Sequence, residues 1–555
     1  MLPVEILVEI FDVYILSAIY EERYSYSWIR ITHVCHRWRV VAMTAPLLWS
    51  RIYFDNVVKH NPANDLEKDP SGLNTCVPEM LARSRNTLLD VYICFYYSRS
   101  TPRPSETWSI YQTLISSLSR AHTFTIIRHD YRPEDDTWLQ DHIPSKAPHL
   151  VSLALSGRNL PALFAQCDMP VLRELHVSPA KDAWSTSCIF QGPLTRLRLY
   201  EIEDNDFSAL LSTLKALPSL EELTIWGDCP EWSAAKTYPD LLDSVSLPRL
   251  KSLELVFEDS NSWLALYQRL RLPPTTMFTL HVYVVHMNTT VLRCDQFAPT
   301  FLSMLESFTA HSGRRIRGVA YRPTSDALRT STGVELYTTD ILDWRRTPSS
   351  EDLDSVSYST PLHLRPQFHL KLECDHALSP CPPIFLQFLH ALPLSETTWL
   401  CIGDIEDESG GYPGPCEEEL RTLIEAKMPA LTTVCLGGGQ TAEMVAALLS
   451  RTDDPEEGKF LIPHLTTLYL YNASFRFPEA RAEEDPSELK DDLMKILVDR
   501  ANADAYIQRL VLLECSGLWE QDLVDMRETM GRTDWILEWD GVDAFDALLV
   551  NPSYL

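Results

Sequence analysis

The stretch PHLVSLAL at residues 148–155 consists of a proline followed by L-x-x-L-x-L, and this pattern recurs along the chain. The first five copies start 22 to 30 residues apart, a spacing that suits one strand plus one helix or irregular return per unit. The copies are PVLRELHV at 170–177, PLTRLRLY at 193–200, PSLEELTI at 218–225, PRLKSLEL at 248–255, PALTTVCL at 429–436 and PHLTTLYL at 463–470. The recurrence predicts stacked strand–helix units whose strands run in parallel.

Weaker copies and helical segments extend this pattern over most of the chain. Degenerate copies lie at 397–402 and 507–512, and helical spacing is found at 206–216, 417–426, 441–450 and 489–502. Residues 280–374 lose the pattern and are interpreted as atypical, longer units of the same domain. We therefore predict an α/β fold in which residues 88–555 form an irregular leucine-rich-repeat solenoid with a parallel sheet on its concave face.

The first 54 residues predict a small helical module. In LPVEILVEIFDVYI, residues 2–15, the apolar side chains share one broad arc of a helical wheel and Glu5, Glu9 and Asp12 lie opposite. A second helix is predicted in WIRITHVCHRWRVVAMTA, residues 28–45, and ends at Pro46. So small a module covers few of its own apolar side chains, which indicates a partner site. Residues 55–87 are interpreted as a connecting linker.

These residues resemble an F-box. The resemblance lies in Leu2-Pro3-x-Glu5-Ile6-Leu7-x-x-Ile10-Phe11, then Val34-Cys35-x-x-Trp38-Arg39-x-x-Ala42, and Pro46-Leu47-Leu48-Trp49. It implies docking on the Skp adaptor of an SCF ubiquitin ligase, and through it on a cullin, as in the fungal F-box proteins with leucine-rich C-terminal halves. The expected adaptor-binding residues are Leu2, Pro3, Ile6, Ile10, Val34, Cys35 and Trp38. The alternative is a pair of amphipathic helices that cap a larger domain, since amphipathic periodicity alone specifies only burial.

Composition limits the partners and the compartment. The chain has 48 basic and 77 acidic residues, and its net charge of −29 disfavours nucleic acid and anionic membrane surfaces. The 13 cysteines form no dense framework, which is typical of reduced thiols in a cytoplasmic or nuclear protein. Pro3 and three acidic residues interrupt the N-terminal apolar stretch, so we expect no signal peptide. No apolar run is long enough to predict a membrane span.

Two motifs could bind a phosphate group or a zinc ion, but the sequence evidence for each is weak. Gly437, Gly438 and Gly439 follow a predicted strand, but no lysine follows as in a P-loop, and a tight turn explains them equally well. Cys374, His376 and Cys381 supply three possible zinc ligands without a fourth at finger-like spacing. GxSxG and HExxH are both absent from the sequence. We expect no enzymatic activity, no cofactor and no bound metal.

Strand alternation predicts a target-binding face. The last two leucine positions of each L-x-x-L-x-L pattern point inward, so the residue between them and the residue after them point to the opposite side of the sheet. Tyrosine, tryptophan and arginine at such positions often anchor protein interfaces. The candidates are His176, Arg198, Tyr200, Trp226, Tyr469 and Tyr471. The alternative is that loops of the chain itself cover these side chains.

Together these patterns predict the substrate-recognition subunit of an SCF-type ubiquitin ligase, in which the module binds the adaptor and the sheet binds an unidentified target protein. The alternative is a non-catalytic leucine-rich-repeat scaffold without ligase docking. Binding of the adaptor would distinguish the two.

Overall fold

The structure is a computed structural model that divides into two compact units, Met1–Leu253 with Ala265–Pro273, and Glu254–Leu264 with Pro274–Leu555. The residues that it describes are 2–21, 26–55, 71–95, 105–129, 133–180, 189–190, 192–202, 207–227, 244–257, 266–267, 269–273, 275–284, 316–325, 329–337, 368–375, 389–390, 392–402, 417–437, 441–451, 459–471, 473, 475, 489–513, 515–532 and 534–540.

The first unit alternates helices and strands. Its helices are α1 (Val4–Glu21), α2 (His36–Thr44), α3 (Ser71–Ser84), α4 (Ser105–Ser116), α5 (Pro133–His142), α6 (Leu160–Phe164) and α7 (Phe207–Lys215), with 3-10 turns at Tyr26–His33, Pro46–Trp49 and Ser117–Arg120. Its strands are β1 (Arg51–Asp55), β2 (Leu89–Phe95), β3 (Ala121–Arg128), β4 (Ser152–Ser156), β5 (Glu174–Ser178), β6 (Arg196–Leu199) and β7 (Glu222–Gly227). A short strand β8 (Val245–Ser246) precedes β9 (Ser252–Phe257), which crosses the unit boundary, and β10 (Leu270–Arg271) pairs with β8.

Strands β1 to β7 pair in chain order, and every pair is parallel. The leucines of the recurring pattern stand in one register row, in which Leu153, Leu175, Leu197 and Leu223 are successive cross-strand partners. All four are buried, so this row belongs to the core of the unit and does not face water. The strands predicted at 148–155, 170–177, 193–200 and 218–225 are thereby confirmed.

The predicted linker at 55–87 is wrong where the structure describes it. The helix α3 occupies Ser71–Ser84, and Val77 and Met80 on its inner side are buried. Pro78 lies inside this helix, on its exposed side. The strand β1 follows the N-terminal module at once and pairs with β2, so the module continues directly into the sheet.

The second unit contains the later copies of the pattern. Its helices over the described residues are α8 (Glu417–Lys427), α9 (Thr441–Leu449), α10 (Leu489–Asn502) and α11 (Glu520–Met530). Its strands are β11 (Met277–Val284), β12 (Gly318–Ser325), β13 (Arg329–Tyr337), β14 (Phe368–Asp375), β15 (Trp399–Ile402), β16 (Thr433–Gly437), β17 (Thr467–Tyr471), β18 (Arg509–Leu513) and β19 (Ile536–Trp539). Strands β15 to β19 pair in order and in parallel, which confirms the strands predicted at 397–402, 429–436, 463–470 and 507–512.

The middle segment departs from the predicted all-parallel sheet. Strands β12 and β13 are joined by only three residues and pair antiparallel, because so short a connection cannot return the chain for a parallel partner. Strand β13 is also antiparallel to β14, whereas β14 is parallel to β11 and β12 is parallel to β15. The fold is therefore mixed α/β with parallel sheets that carry an antiparallel insertion. Within the described residues, no helix combines the length and apolar character needed to cross a membrane.

Candidate functional site

The inner side of α1 forms the core of the N-terminal module. Leu7, Phe11 and Ile15 recur every four residues and are each at most 2% exposed, so they lie on one face of the helix. The ring of Phe11 meets Trp38 of α2 edge to face at a centroid distance of 5.0 Å. Trp28 and Trp49 make a second edge-to-face pair at 5.1 Å, and these contacts join the helices into one cluster.

The outer side of α1 presents apolar side chains to solvent. Ile6 and Ile10 are 40% and 45% exposed, and Leu2 before the helix and Val13 further along it are also exposed. Ile6, Ile10 and Val13 follow one another at steps of four and three residues, which places them in one strip beside the core face of Leu7 and Phe11. Leu2 lies just before this helix. We call Leu2, Ile6, Ile10 and Val13 the apolar strip. Such a strip on a small module marks an interaction surface.

The predicted second helix is broken at Cys35. Residues Tyr26–His33 form a 3-10 helix, and α2 begins at His36 after Cys35 adopts an extended conformation as its N-cap. The Cys35 Sγ accepts a bond from the Trp38 backbone N–H at 3.4 Å, while the Thr32 hydroxyl donates to the Ile29 carbonyl at 2.8 Å. As a result Val34 and Cys35 leave the core face and are exposed.

The predicted adaptor residues divide into an exposed group and one packed residue. Leu2, Pro3, Ile6, Ile10, Val34 and Cys35 are exposed, and Trp38 is half-buried against Phe11. The Arg37 guanidinium donates to the Leu2 backbone carbonyl and so brings the Leu-Pro start against α2. Sequence reasoning missed the exposure of Val13, which the helical wheel had placed within the apolar arc. Two series of apolar residues, one at 6, 10 and 13 and the other at 7, 11 and 15, could have separated two faces of that arc.

The module is fixed to the sheet by polar contacts within the first unit. Arg51 of β1 pairs with Asp12 of α1, and its Nε lies 3.9 Å from Asp90 of β2. The Tyr26 hydroxyl donates to the Tyr53 backbone carbonyl at 2.5 Å, and burial raises the pKa of Tyr26. The Trp49 indole N–H donates to the Ala42 carbonyl at 2.7 Å, and the Arg83 guanidinium of α3 lies over the Trp49 ring. The apolar strip is therefore held in a defined position relative to the first strands.

Strands β1 to β7 form what we call the first sheet, and its outer face is the side opposite the leucine row. This face carries three of the predicted target-binding rings together. His176 and Tyr200 stack with centroids 4.5 Å apart, and Tyr200 and Trp226 follow at 5.4 Å. Trp226 is 42% exposed, and the other two are half-buried. We call His176, Tyr200 and Trp226 the aromatic ladder. These three rings, which come from neighbouring strands, therefore lie side by side on one face of the sheet.

Two arginines on β6 differ in their surroundings. Arg196 contacts Glu174 on one side at 2.6 Å and Glu222 on the other at 3.2 Å. Arg198, two residues further along, has His176 and Thr224 as its register partners. Burial, and to a smaller extent the positive charge of Arg198, lower the pKa of His176 to about 4. His176 is therefore a neutral ring at pH 7.

The prediction of an exposed Tyr469 is wrong. Tyr469 is 6% exposed and lies in a buried cluster with Cys401, Cys435 and Val511, its cross-strand neighbours in the second unit. These neighbours are apolar, so the row packs as a second core instead of facing solvent. Tyr471 is half-buried and packs against the same cluster.

No group of three or more His, Cys, Asp or Glu side chains within the described ranges could hold a metal ion. The zinc candidates His376 and Cys381 lie outside those ranges, as do Gly438 and Gly439 of the glycine run. These weak motifs stay untested.

The apolar strip and its helical module belong to a recognised class of docking domain. Residues 1–55 match the family model of F-box-like domains, so the N-terminal segment is an F-box-like domain and the match supports an F-box protein. F-box domains generally bind Skp-class adaptors, and the match indicates a role in protein–protein interaction. No curated protein sequence matches the chain.

Proposed function

We propose that this chain is the substrate-recognition subunit of an SCF-type ubiquitin ligase, working in the cytoplasm or nucleus. The F-box-like domain docks the Skp adaptor and through it a cullin, and the outer face of the first sheet holds a target protein. The chain contributes positioning, and the transfer of ubiquitin is carried out by other subunits.

The observation that carries this proposal is the division of α1 into two apolar faces. Leu7, Phe11 and Ile15 already fill the core of the domain, so the exposed Ile6 and Ile10 are not needed for its packing. Contact of exposed apolar side chains with water is unfavourable, and burial of these side chains by a partner lowers the free energy. Their position in a segment that matches F-box-like domains makes a Skp-class adaptor the partner that fits best.

The recurring leucine pattern supports a repeat scaffold for the target face. The strands β1 to β7 are parallel and follow chain order, and the leucines of successive copies occupy the same register row. We infer that these units are leucine-rich repeats. Such repeats present an extended row of outward side chains, which suits recognition of a protein target.

Co-purification tests the proposal. The full chain, tagged at its C-terminus and expressed in eukaryotic cells, should retain a Skp-class adaptor and a cullin. A Leu2→Ala, Pro3→Ala double variant should lose most of both, while the control Val171→Ala, which truncates an exposed apolar residue near β5, should retain them. If the double variant captured as much adaptor as the parent, the proposed docking through Leu2 and Pro3 would be wrong. That result would favour a scaffold without ligase docking.

A further inference from the structure

Two stacks of aromatic rings stand on the outer face of the first sheet. In one stack Tyr53 and Tyr92 lie nearly parallel at a centroid distance of 5.9 Å, and in the other His176 and Tyr200 of the aromatic ladder do so at 4.5 Å. Rings that stack from strand to strand stand upright on the sheet, so the last ring of each stack turns one face along it. Tyr92 and His176 are these last rings, and they face each other across β3 and β4.

The strands between the two stacks carry small side chains. Tyr92, Thr125, Ala154 and His176 are successive register partners on β2, β3, β4 and β5. All four are partly exposed. Thr125 and Ala154 therefore form the floor, and Tyr92 and His176 the two walls, of a depression that we call the aromatic slot.

The width of the aromatic slot fits an α-helix. Three inter-strand steps separate Tyr92 from His176. At about 4.8 Å per step the distance is about 14 Å, and the two ring surfaces take up about 3.5 Å of it, which leaves about 11 Å. An α-helix with its side chains is about 10–12 Å across. An extended segment takes up only about 4.8 Å in the plane of a sheet, so it would contact one wall and not the other.

One end of the aromatic slot carries two carboxylates. Asp90 lies two residues before Tyr92 on β2, and Glu174 lies two residues before His176 on β5. Both belong to one register row that crosses β3 and β4, so they flank the slot at the end where these strands begin. Their side chains are 37% and 36% exposed, and a ligand in the slot would reach both.

This end of the slot has a negative charge, because each carboxylate shares its arginine with a second one. Arg51 lies beside Asp90 and also pairs with an aspartate of α1. Arg196 contacts Glu174 on one side and a glutamate of β7 on the other. Each group of two carboxylates and one guanidinium has one more negative than positive charge, and the net charge of −29 on the whole chain acts in the same direction. A positive group of a ligand is therefore favoured here.

We propose that the aromatic slot binds an amphipathic α-helix of the target, with a lysine or arginine at the end of the helix that lies between Asp90 and Glu174. Apolar side chains on one face of this helix pack on Thr125 and Ala154 and between the rings of the two walls. This proposal rests on the proposed target-binding function of the same sheet face and specifies the class of ligand.

Immobilised peptides of about 15 residues, which span about 22 Å as a helix, test the proposal on the purified full chain. Side-chain lactam bridges hold three sets helical, with degenerate apolar residues on one face and a pair of Lys, Gln or Glu residues at one end. A fourth set has the Lys pair but contains prolines that prevent a helix. Capture of the chain by the helical Lys set should exceed capture by the helical Glu set and by the proline set by about tenfold each, with the Gln set between.

A variant that fills the floor tests whether the helix lies in the aromatic slot. Thr125→Phe should lower capture by the helical Lys set about tenfold, because the added ring takes the space of the helix. The control Thr467→Phe makes the same change at a partly exposed position of β17 in the second unit and should leave capture unchanged. The melting temperatures of the two variants should agree.

A second pair of variants tests the acidic end. Glu174→Gln and Glu222→Gln each remove one of the two carboxylates that contact Arg196, but only Glu174 borders the aromatic slot. At physiological ionic strength, where charges are screened over about 8 Å, Glu174→Gln should reduce the preference for the Lys set about threefold and Glu222→Gln should not. If Thr125→Phe melts at a lower temperature than Thr467→Phe, this second pair decides whether the slot is the site.

Four results would overturn the proposal. Equal capture by the helical and proline-containing Lys sets would identify an extended ligand, and equal capture by the helical Lys and Glu sets would exclude the acidic end. Undiminished capture of a stable Thr125→Phe would place the helix elsewhere, and the absence of capture by every set would exclude a helical ligand. Loss of adaptor co-purification with retained preference for the helical Lys set would instead contradict the ligase function alone.

Discussion

Asp12 of the N-terminal helix and Arg51 at the start of the first strand form a bidentate ion pair, with Nη1–Oδ1 and Nη2–Oδ2 distances of 2.5 and 3.1 Å. Both side chains are partly shielded from solvent, and Arg51 also approaches Asp90 of the next strand. The F-box-like domain is thus tied to the sheet by side chains as well as by chain continuity. An adaptor held on the apolar strip would therefore be held in a fixed relation to the first strands.

Asp12→Asn should loosen this attachment. Loss of the charge weakens two hydrogen bonds to Arg51, and we expect a cost of about 1–2 kcal/mol in the local stability of α1. Hydrogen exchange of the backbone amides in Leu7 to Ile15 should become faster, while exchange in β4 stays as in the parent. The control Glu9→Gln, at an exposed position on the same helix, should leave the exchange of α1 unchanged.

Gly318→Ala should strongly destabilise the second unit. A Cβ at Gly318 would overlap the indole ring of Trp399, its register partner on the neighbouring strand. Overpacking of this kind costs about 1–3 kcal/mol or more. Gly192→Ala is the control, since its nearest neighbour would be the Leu172 carbonyl oxygen at 3.5 Å. Equal melting temperatures for the two variants would contradict this packing.

Arg500→Met should destabilise the helices of the second unit. Arg500 is completely buried, and its guanidinium donates to the carbonyls of Leu449, Ile462 and Ala505. Burial lowers its pKa to about 10, so it stays charged at pH 7 and its removal leaves three carbonyls without this donor. We expect a loss of about 3 kcal/mol in urea unfolding.

Arg451→Met provides the comparison for Arg500→Met. The Arg451 guanidinium pairs with Asp499 at 2.8 Å, but both side chains are exposed to solvent. Exposed pairs of this kind contribute about 0–1 kcal/mol. If Arg451→Met were as destabilising as Arg500→Met, the structural role given to the buried arginine would be wrong.

His176 should make part of the stability depend on pH. Its pKa falls from 6.5 to about 4 on folding, so between these values the unfolded chain binds a proton that the folded chain does not. Protonation thus favours unfolding, and stability should fall as the pH decreases from 6.5 towards 4. His176→Gln should lose less stability than the parent between pH 7 and pH 5 in urea unfolding. Between pH 7 and pH 8 the unfolding free energies of the parent and of His176→Gln should change by the same amount. Equal changes between pH 7 and pH 5 would contradict the lowered pKa of His176.

The strand positions could be predicted because leucines at alternate positions of a strand point to the same, buried face of the sheet. The L-x-x-L-x-L copies on β4 to β7 and on β16 and β17 became parallel strands, as at Leu175 and Leu197. The sequence did not reveal which outward-facing rows are covered, since that depends on residues far apart in the chain. His176 and Tyr469 occupy equivalent pattern positions, yet Tyr469 lies beside Cys435 and Val511 and is buried with them.

The sequence identified most residues of the candidate docking surface, but it did not predict the local backbone and helix-face geometry that places them. Leu2, Ile6 and Ile10 were identified and are exposed, but one apolar arc was expected where α1 has a core face and an outer strip. The extended conformation of Cys35 also replaced one predicted helix by two elements. Side-chain periodicity does not encode such a break, because it is stabilised by local bonds from Thr32 and Cys35 to the backbone.

The affinity of an Ile10→Asp variant for the adaptor is the direct test of whether the apolar strip docks a Skp-class adaptor. Purified parent and variant are titrated with a purified Skp-class adaptor in a calorimeter, with Val524→Asp as the control at an apolar position 41% exposed in the second unit. The parent and Val524→Asp should bind alike, and Ile10→Asp should bind at least about 100-fold more weakly, because a charge would be buried in the interface without a partner. Equal binding by all three chains, or no binding by the parent, would contradict the docking function of the apolar strip.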